Sequence, residues 1–188
     1  MIHIKEYQQA WRDEFLGVRE LLCSHLGALA LRIDHIGSTS VPDLCAKDIL
    51  DIQVSVSTLG PEIIGALSAI GFVKHPDVNA DHVPPDYAGA KEGWAKHFFM
   101  QPAGQRRMNV HVRKFGNPNQ RYAILFRDYL VAHKPVASAY GELKKRLARS
   151  LLKDSDYPEV KDPAVDLIYF AAEQWASCTA WSAKASDV

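Results

Sequence analysis

Residues 49–56 read Ile-Leu-Asp-Ile-Gln-Val-Ser-Val, a β-branched run with little outward polarity. A strand of that composition is covered on both sides, which predicts a central place in a sheet. Period-2 alternation directs Ile49, Asp51 and Gln53 to one face. A carboxylate inside an apolar strand is expensive to bury without a partner. Asp51 therefore predicts an ion pair or hydrogen bond to a loop, or else a ligand site.

The flanking sequence supplies a companion for it. Residues 29–36 alternate as a second strand, which ends in the polar turn Gly37-Ser38-Thr39-Ser40-Val41-Pro42. Glycine lets a backbone approach a ligand closely, and successive N–H groups with three hydroxyls can surround phosphate oxygens. The same turn also serves purely structural ends. Trp11, Phe15, Val18, Leu22 and Leu26 recur at helical spacing, so residues 7–26 form an amphipathic helix closed by Gly27. Residues 61–70 form a second helix with proline in its first turn. Residues 75–93 hold three prolines, two glycines and no periodicity, the pattern of a long loop, and such loops are often lids or binding loops. Residues 96–101 and 108–113 are strand candidates joined as a hairpin across Pro102-Ala103-Gly104. Helices follow over 120–133, 136–152 and 164–175, the last read as opening on an Asp162 cap and a first-turn Pro163. The expectation is an α/β (α+β) fold: a small mixed sheet with flanking helices and a helical C-terminal half. One domain over 1–188 is expected, with the sheet in 1–116, helices in 117–176 and a fraying tail from 177.

The chain has 188 residues, 47% of them hydrophobic, enough for one buried core. Its charged and aromatic fractions exclude a disordered or low-complexity scaffold. No apolar run approaches the roughly 20 residues of a membrane span, and no basic-then-apolar leader opens the sequence, so the expected address is the cytoplasm. Cys23, Cys45 and Cys178 fit neither a disulfide framework nor a zinc site and read as reduced thiols. Zero net charge hides an asymmetry, because residues 106–153 contain twelve Lys and Arg against two acids. That block is either a solvated basic face or a field that concentrates anions. It has no aromatic pattern of the RNA-binding kind, which ranks nucleic acid last among partners.

The run His35-Ile36-Gly37-Ser38-Thr39-Ser40-Val41-Pro42, with Ala46-Lys47 and Asp51-Ile52 after it, resembles the signature of the GrpB family. Val110-His111-Val112, Phe126-Arg127-Asp128-Tyr129-Leu130, His133, Tyr140 with Leu143-Lys144, and Tyr157 with Lys161 continue the likeness, which covers about residues 4–175. That family is similar to minimal nucleotidyltransferases of the DNA polymerase beta type. The resemblance implies a sheet of the nucleotidyltransferase type, a Gly37-Ser38 pair for a triphosphate, and Asp51 as the first of the acids that hold metal. It thereby implies Mg²⁺ and a nucleoside triphosphate or another phosphorylated small molecule. Gln53 stands where the second acid is expected, and the strand at 109–111 offers Asn109 and His111 instead of a carboxylate. Asp43 replaces a common glycine and Asp48 a common proline. A two-metal clamp needs several anionic oxygens, which amide and imidazole groups do not replace.

The candidate site therefore comprises Asp51 as the Mg²⁺ ligand and His111 as a proton relay or acceptor contact. Gly37, Ser38, Thr39, Ser40, Lys47, Gln53, Asn109, Arg113, Arg127 and Lys144 are the candidate substrate contacts. His111 also reads as a hydrogen-bonded core residue, and Arg127 and Lys144 as bridges between sheet and helices. Two functions stay open. One is nucleotidyl transfer by in-line attack with release of pyrophosphate; the other is an anion-binding or chaperone-like module with a degenerate transferase site. Asp77, Asp81 and Asp86 match no metal-binding spacing and read as solvated loop acids.

Overall fold

The computed structural model describes residues 2–151 and 153–186. Its sheet contains β1 (Arg32–Ile36), β2 (Leu50–Val56), β3 (Val73–Lys74), β4 (Lys96–Met100) and β5 (Met108–Lys114), in the order β1-β2-β5-β4-β3. β2 and β5 are parallel, and every other pairing is antiparallel. The sheet is mixed, and β2 and β5 are interior to it, as the apolar composition of residues 49–56 requires. The helices are α1 (Ala10–Leu26), α2 (Pro61–Ala69), α3 (Pro118–Ala132), α4 (Lys134–Ser150) and α5 (Tyr157–Thr179).

Alternation divides the sheet into two unlike faces. Leu50, Ile52, Val54 and Val56 join Val110 and Val112 in one apolar layer, packed on Trp11, Phe15 and Leu22 of α1 and Leu67 of α2. Asp51, Gln53 and Ser55 point the other way, and the parallel register sets Asp51 beside Asn109 and Gln53 beside His111. This second face is polar yet mostly buried, since Asp34, Gln53 and Ser55 have no exposure. Arg32 forks onto Asp34 at 2.6 and 2.7 Å, and the Gln53 amide donates to the Gln120 carbonyl at 3.1 Å, while the buried Ser55 hydroxyl has no hydrogen-bond partner among the described residues. α3, α4 and α5 build a second apolar cluster from Leu125, Leu130, Ala137 and Ala172, with Val41 and Leu44 from the stretch after β1.

Some elements differ from the sequence expectation. α5 opens at Tyr157, seven residues before the expected 164, because Pro158 takes the first-turn place that had been given to Pro163. Pro163 lies inside the helix, where it removes one backbone hydrogen bond, and Asp162 is a helical residue instead of a cap. The first strand starts at Arg32, since residues 27–29 form a 3₁₀ turn. β3 is too short to show alternation in the sequence. Residue 152, the expected end of one helix, and residues 187 and 188 of the tail lie outside the described residues. Residues 177–179 of the segment expected to fray are helical, and the Trp181 indole donates to Asp128 at 3.1 Å.

The two departures at 43 and 48 have physical readings. Asp43 has φ 66°, the left-handed conformation that favours glycine. Asp48 accepts from Lys5 at 2.6 Å, Trp11 at 2.8 Å and Arg106 at 2.5 Å, tying the N-terminal segment and the β4–β5 turn to the start of β2. Partial burial opposes its ionisation, but these donors hold its pKa at about 2. The basic run does not form one solvated face. Arg113 and Lys144 are buried, whereas Arg106, Arg121, Lys145 and Arg146 pair with acids. Among the described residues no helix is long and apolar enough to cross a membrane, and all three cysteines are free.

Ile52 is fully buried in the central strand. Ile52→Ala is expected to lower unfolding free energy by about 2–5 kcal/mol, read as a lower denaturant midpoint at unchanged slope.

Candidate functional site

The turn after β1 sits directly on the Asp51 side chain. Gly37 has φ 70°, and a Cβ built there would stand 2.9 Å from the Asp51 Cβ and closer still to a carboxylate oxygen. Glycine is therefore required twice over at this position, by conformation and by space. Ser40 does not reach a ligand space, because its hydroxyl donates to the Gly37 carbonyl at 2.6 Å and closes the turn. Thr39 is buried, with its hydroxyl 3.0 Å from His35 Nε2 and donating to the Ile49 carbonyl at 3.4 Å. Ser38 faces outward into a cleft between the polar sheet face and α3, α4 and α5.

The cleft has two lobes, of about 530 and 300 Å³, that share Ser38, Asp51, Asp81, His111, Tyr140, Lys161 and Asp162. Asp51 and the Gly37-Ser38 turn thus open into one hollow. The larger lobe is cationic, with Lys47, Lys96 and Lys144 on its wall; the smaller is aromatic, with Trp94, Tyr122 and Phe126. The Lys47 ammonium lies 4.5 Å from the centre of the Tyr157 ring. Lys144 is buried and donates to the Cys45 carbonyl at 2.5 Å, and that burial pushes its pKa down to about 7.

Asp81 is brought into this site by the 75–93 loop. Arg113 donates to it from Nε at 2.8 Å and from a terminal nitrogen at 2.9 Å; Lys96 adds a contact at 2.6 Å and Asn119 one at 3.0 Å. Burial works against the charge, but Arg113 and Lys96 hold this carboxyl well below the usual carboxylate range. Asp81 is thus no solvated loop acid. Arg113 also donates to Gln53 Oε1 at 2.6 Å, which explains an amide where an acid was expected: the oxygen accepts, and no further negative charge is buried. Gln53 lies beneath the cleft floor. Arg127 also stands apart from it, donating to the His35 carbonyl at 2.9 Å and to Asp128 at 2.9 Å, so it joins α3 to β1.

The protonation of His111 follows from its neighbours. Nδ1 lies 3.3 Å from the Lys96 ammonium and 3.2 Å from the Arg113 guanidinium, which have only protons to offer. Nδ1 is therefore the acceptor, and the ring proton sits on Nε2, 3.7 Å from Asp51 Oδ1. Burial, with the Arg113 charge added, lowers the pKa to about 4 despite the attraction of Asp51. Neutral His111 then has no lone pair directed at the cleft. Asp51 also accepts from Asn109 at 2.8 Å. Burial raises its pKa, and His111, Asn109 and the Lys161 charge more than reverse this, leaving it low.

These donors do not fit a two-ion clamp. Both Asp81 oxygens are taken by cations and an amide, Asp51 Oδ1 is taken by Asn109, and among the described residues no three His, Cys, Asp or Glu are grouped to hold a metal. The expected residues that do meet at the cleft are Gly37, Ser38, Thr39, Lys47, Asp51, Asn109, His111, Arg113 and Lys144. Asp81, Lys96, Asn119, Tyr140, Lys161 and Asp162 join them without having been selected from sequence. Tyr157 and Lys161, one turn apart, were a usable signal; Asp162 was hidden by its resemblance to a helix cap.

A mixed five-stranded sheet with a Gly-Ser turn over a strand carboxylate defines a protein of the nucleotidyltransferase fold. The structure of Cid1 in complex with its short product ApU shares that fold with a TM-score of 0.51, at 13% identity over 78% of this chain and 43% of that one. The GrpB protein family matches residues 1–170, and the chain belongs to it. The crystal structure of conserved protein GrpB from Enterococcus faecalis superposes with a TM-score of 0.73, at 29% identity over 92% of this chain and 99% of that one. A Mycolicibacterium paratuberculosis protein named dephospho-CoA kinase is 34% identical over 82% of this chain. The chain spans only 42% of that relative's length, and less than half of similarly named mycobacterial proteins.

Two outcomes are expected. Gly37→Ala destabilises the fold or displaces Asp51, and is read by a lower unfolding midpoint together with the position of the Asp51 carboxyl in a crystal structure of the variant. The second concerns acid. The unfolded chain protonates His111 near 6.5 and the folded chain only near 4, so stability is present above 6.5 and is lost as pH falls towards 4. Denaturant titrations across that window are expected to lose on the order of 3 kcal/mol less in His111→Gln than in the parent.

Proposed function

We propose that this chain binds a nucleotide, or another phosphorylated anion, in the two-lobed cleft. The carrying observation is that the Ser38 turn opens into a lobe walled by Lys47, Lys96, Lys144 and Lys161. Asp81 offsets Lys96 and Arg113, while Lys47, Lys144 and Lys161 line the same lobe, Lys144 being held by the Cys45 carbonyl and Lys47 lying over the Tyr157 ring. Lysine and backbone N–H groups are suited to phosphate as point charges and donors.

Nucleotidyl transfer is the second reading, favoured by the placement of Asp51 under the turn in this fold. Two features weigh against it. Neither Asp51, held ionised, nor His111, protonated on the cleft side, is a good base for an acceptor hydroxyl. The donor set also lacks the carboxylates of a metal clamp. The kinase name of the mycobacterial relatives is not carried over, since this sequence has no G-x-x-x-x-G-K-[ST] segment.

Calorimetry with a nucleoside triphosphate panel, with and without Mg²⁺, on the parent and Asp51→Asn, separates the readings. Metal-independent binding without pyrophosphate release is expected. Mg²⁺-dependent binding abolished by the substitution, with pyrophosphate released, supports the transferase; absence of all phosphate binding overturns both. The Lys144 ammonium is lost as pH rises through about 7. Triphosphate affinity is therefore expected to fall between pH 6 and 8, and to change less in Lys144→Met.

A further inference from the structure

Two residues that line the aromatic lobe each carry a buried polar atom with no partner among the described residues: the Trp94 indole nitrogen and the Asn119 side-chain oxygen. Both residues are 1% exposed, and both line this lobe. The orientation of the Asn119 amide is fixed by its nitrogen, which donates to Asp81 Oδ2 and the Ala95 carbonyl, each at 3.0 Å. The oxygen is thus an acceptor left over. The Trp94 ring is held edge-on by Tyr87 and Tyr122, with centroids 5.3 and 5.6 Å away, contacts that give its N–H no oxygen or nitrogen acceptor. A buried unpaired donor or acceptor is costly and rare in folded proteins. Here one of each belongs to residues that line the same lobe, which Ser38 also lines.

We infer that the small lobe selects the ring of the ligand, with Trp94 N–H donating to a ring acceptor and Asn119 Oδ1 accepting from a ring N–H. Such an edge belongs to a nucleobase or a comparable amide-bearing heterocycle, and Tyr122 and Phe126 offer flat apolar surface beside it. The ligand class is then a phosphorylated compound with a heterocyclic ring, its phosphates in the lysine lobe and its ring in the aromatic lobe. This rests on the anion-binding reading above and narrows it.

The test titrates the parent protein with the four ribonucleoside triphosphates, ribose 5-triphosphate and inorganic tripolyphosphate, then repeats the series on Trp94→Phe. At least one nucleotide is expected to bind ten times tighter than the two ringless compounds. Trp94→Phe is expected to weaken that nucleotide about three- to tenfold, leave tripolyphosphate unchanged, and leave Tm the same or higher, because it deletes an unpaired donor. Equal affinity of nucleotides and ringless phosphates in the parent protein overturns the inference while leaving the anion site standing. So does an undiminished nucleotide preference in a folded Trp94→Phe. Failure of every compound to bind overturns the anion site and this inference with it.

Discussion

Asp81 and Arg113 form the ion pair on which the polar side of the molecule depends. Arg113 projects from a central strand and is buried, so an unpaired guanidinium there would carry a large desolvation cost. The loop carboxylate receives two of its N–H groups, Gln53 receives a third, and Lys96 and Asn119 complete the shell. Breaking one partner would leave an uncompensated buried charge. The same contacts set the path of the 75–93 loop, supply the wall that carries Trp94, and direct two cationic donors at His111. His82 adds a second tether of this loop, to Asp166 on α5 at 3.0 Å.

The chemical character of the cleft follows from that arrangement. Around the strand acid Asp51 this chain places the amide of Asn109, the imidazole of His111 and the lysines of the larger lobe, with Asp81 and Asp162 on the same wall. Across the two lobes Lys47, Lys96, Arg113, Lys144 and Lys161 stand with Asp51, Asp81 and Asp162, so cationic groups outnumber acids on the cleft wall. Membership of the GrpB family and likeness to Cid1 agree in fold. Burial pushes the Lys144 pKa down to about 7 and keeps His111 neutral, whereas Asp51 stays ionised against its burial because His111, Asn109 and the Lys161 charge favour the carboxylate.

Much of the sheet was legible because period-2 alternation is written directly into residues 50–56 and 108–114. The Gly37-Ser38 turn and Asp51 were legible for the same local reason, one ending a strand and the other interrupting an apolar one. Arg127 and Ser40 show the limit of that reading. Both have the right chemistry for phosphate, but a carbonyl of β1 and the turn's own carbonyl claim them. Residue type says what a side chain can bind, and only packing says what reaches it first.

The sequence by itself determined the strands, the covered character of residues 49–56, and the succession of a small-residue turn and a strand acid, since these depend on neighbours within a few residues. Tertiary structure alone decided that Asp81, more than thirty residues from Arg113, neutralises it, and that Lys161 and Asp162 of α5 close the cleft. Their meeting depends on which helix crosses which sheet face. That choice is made by the summed burial of two apolar clusters, and no short stretch of sequence encodes it.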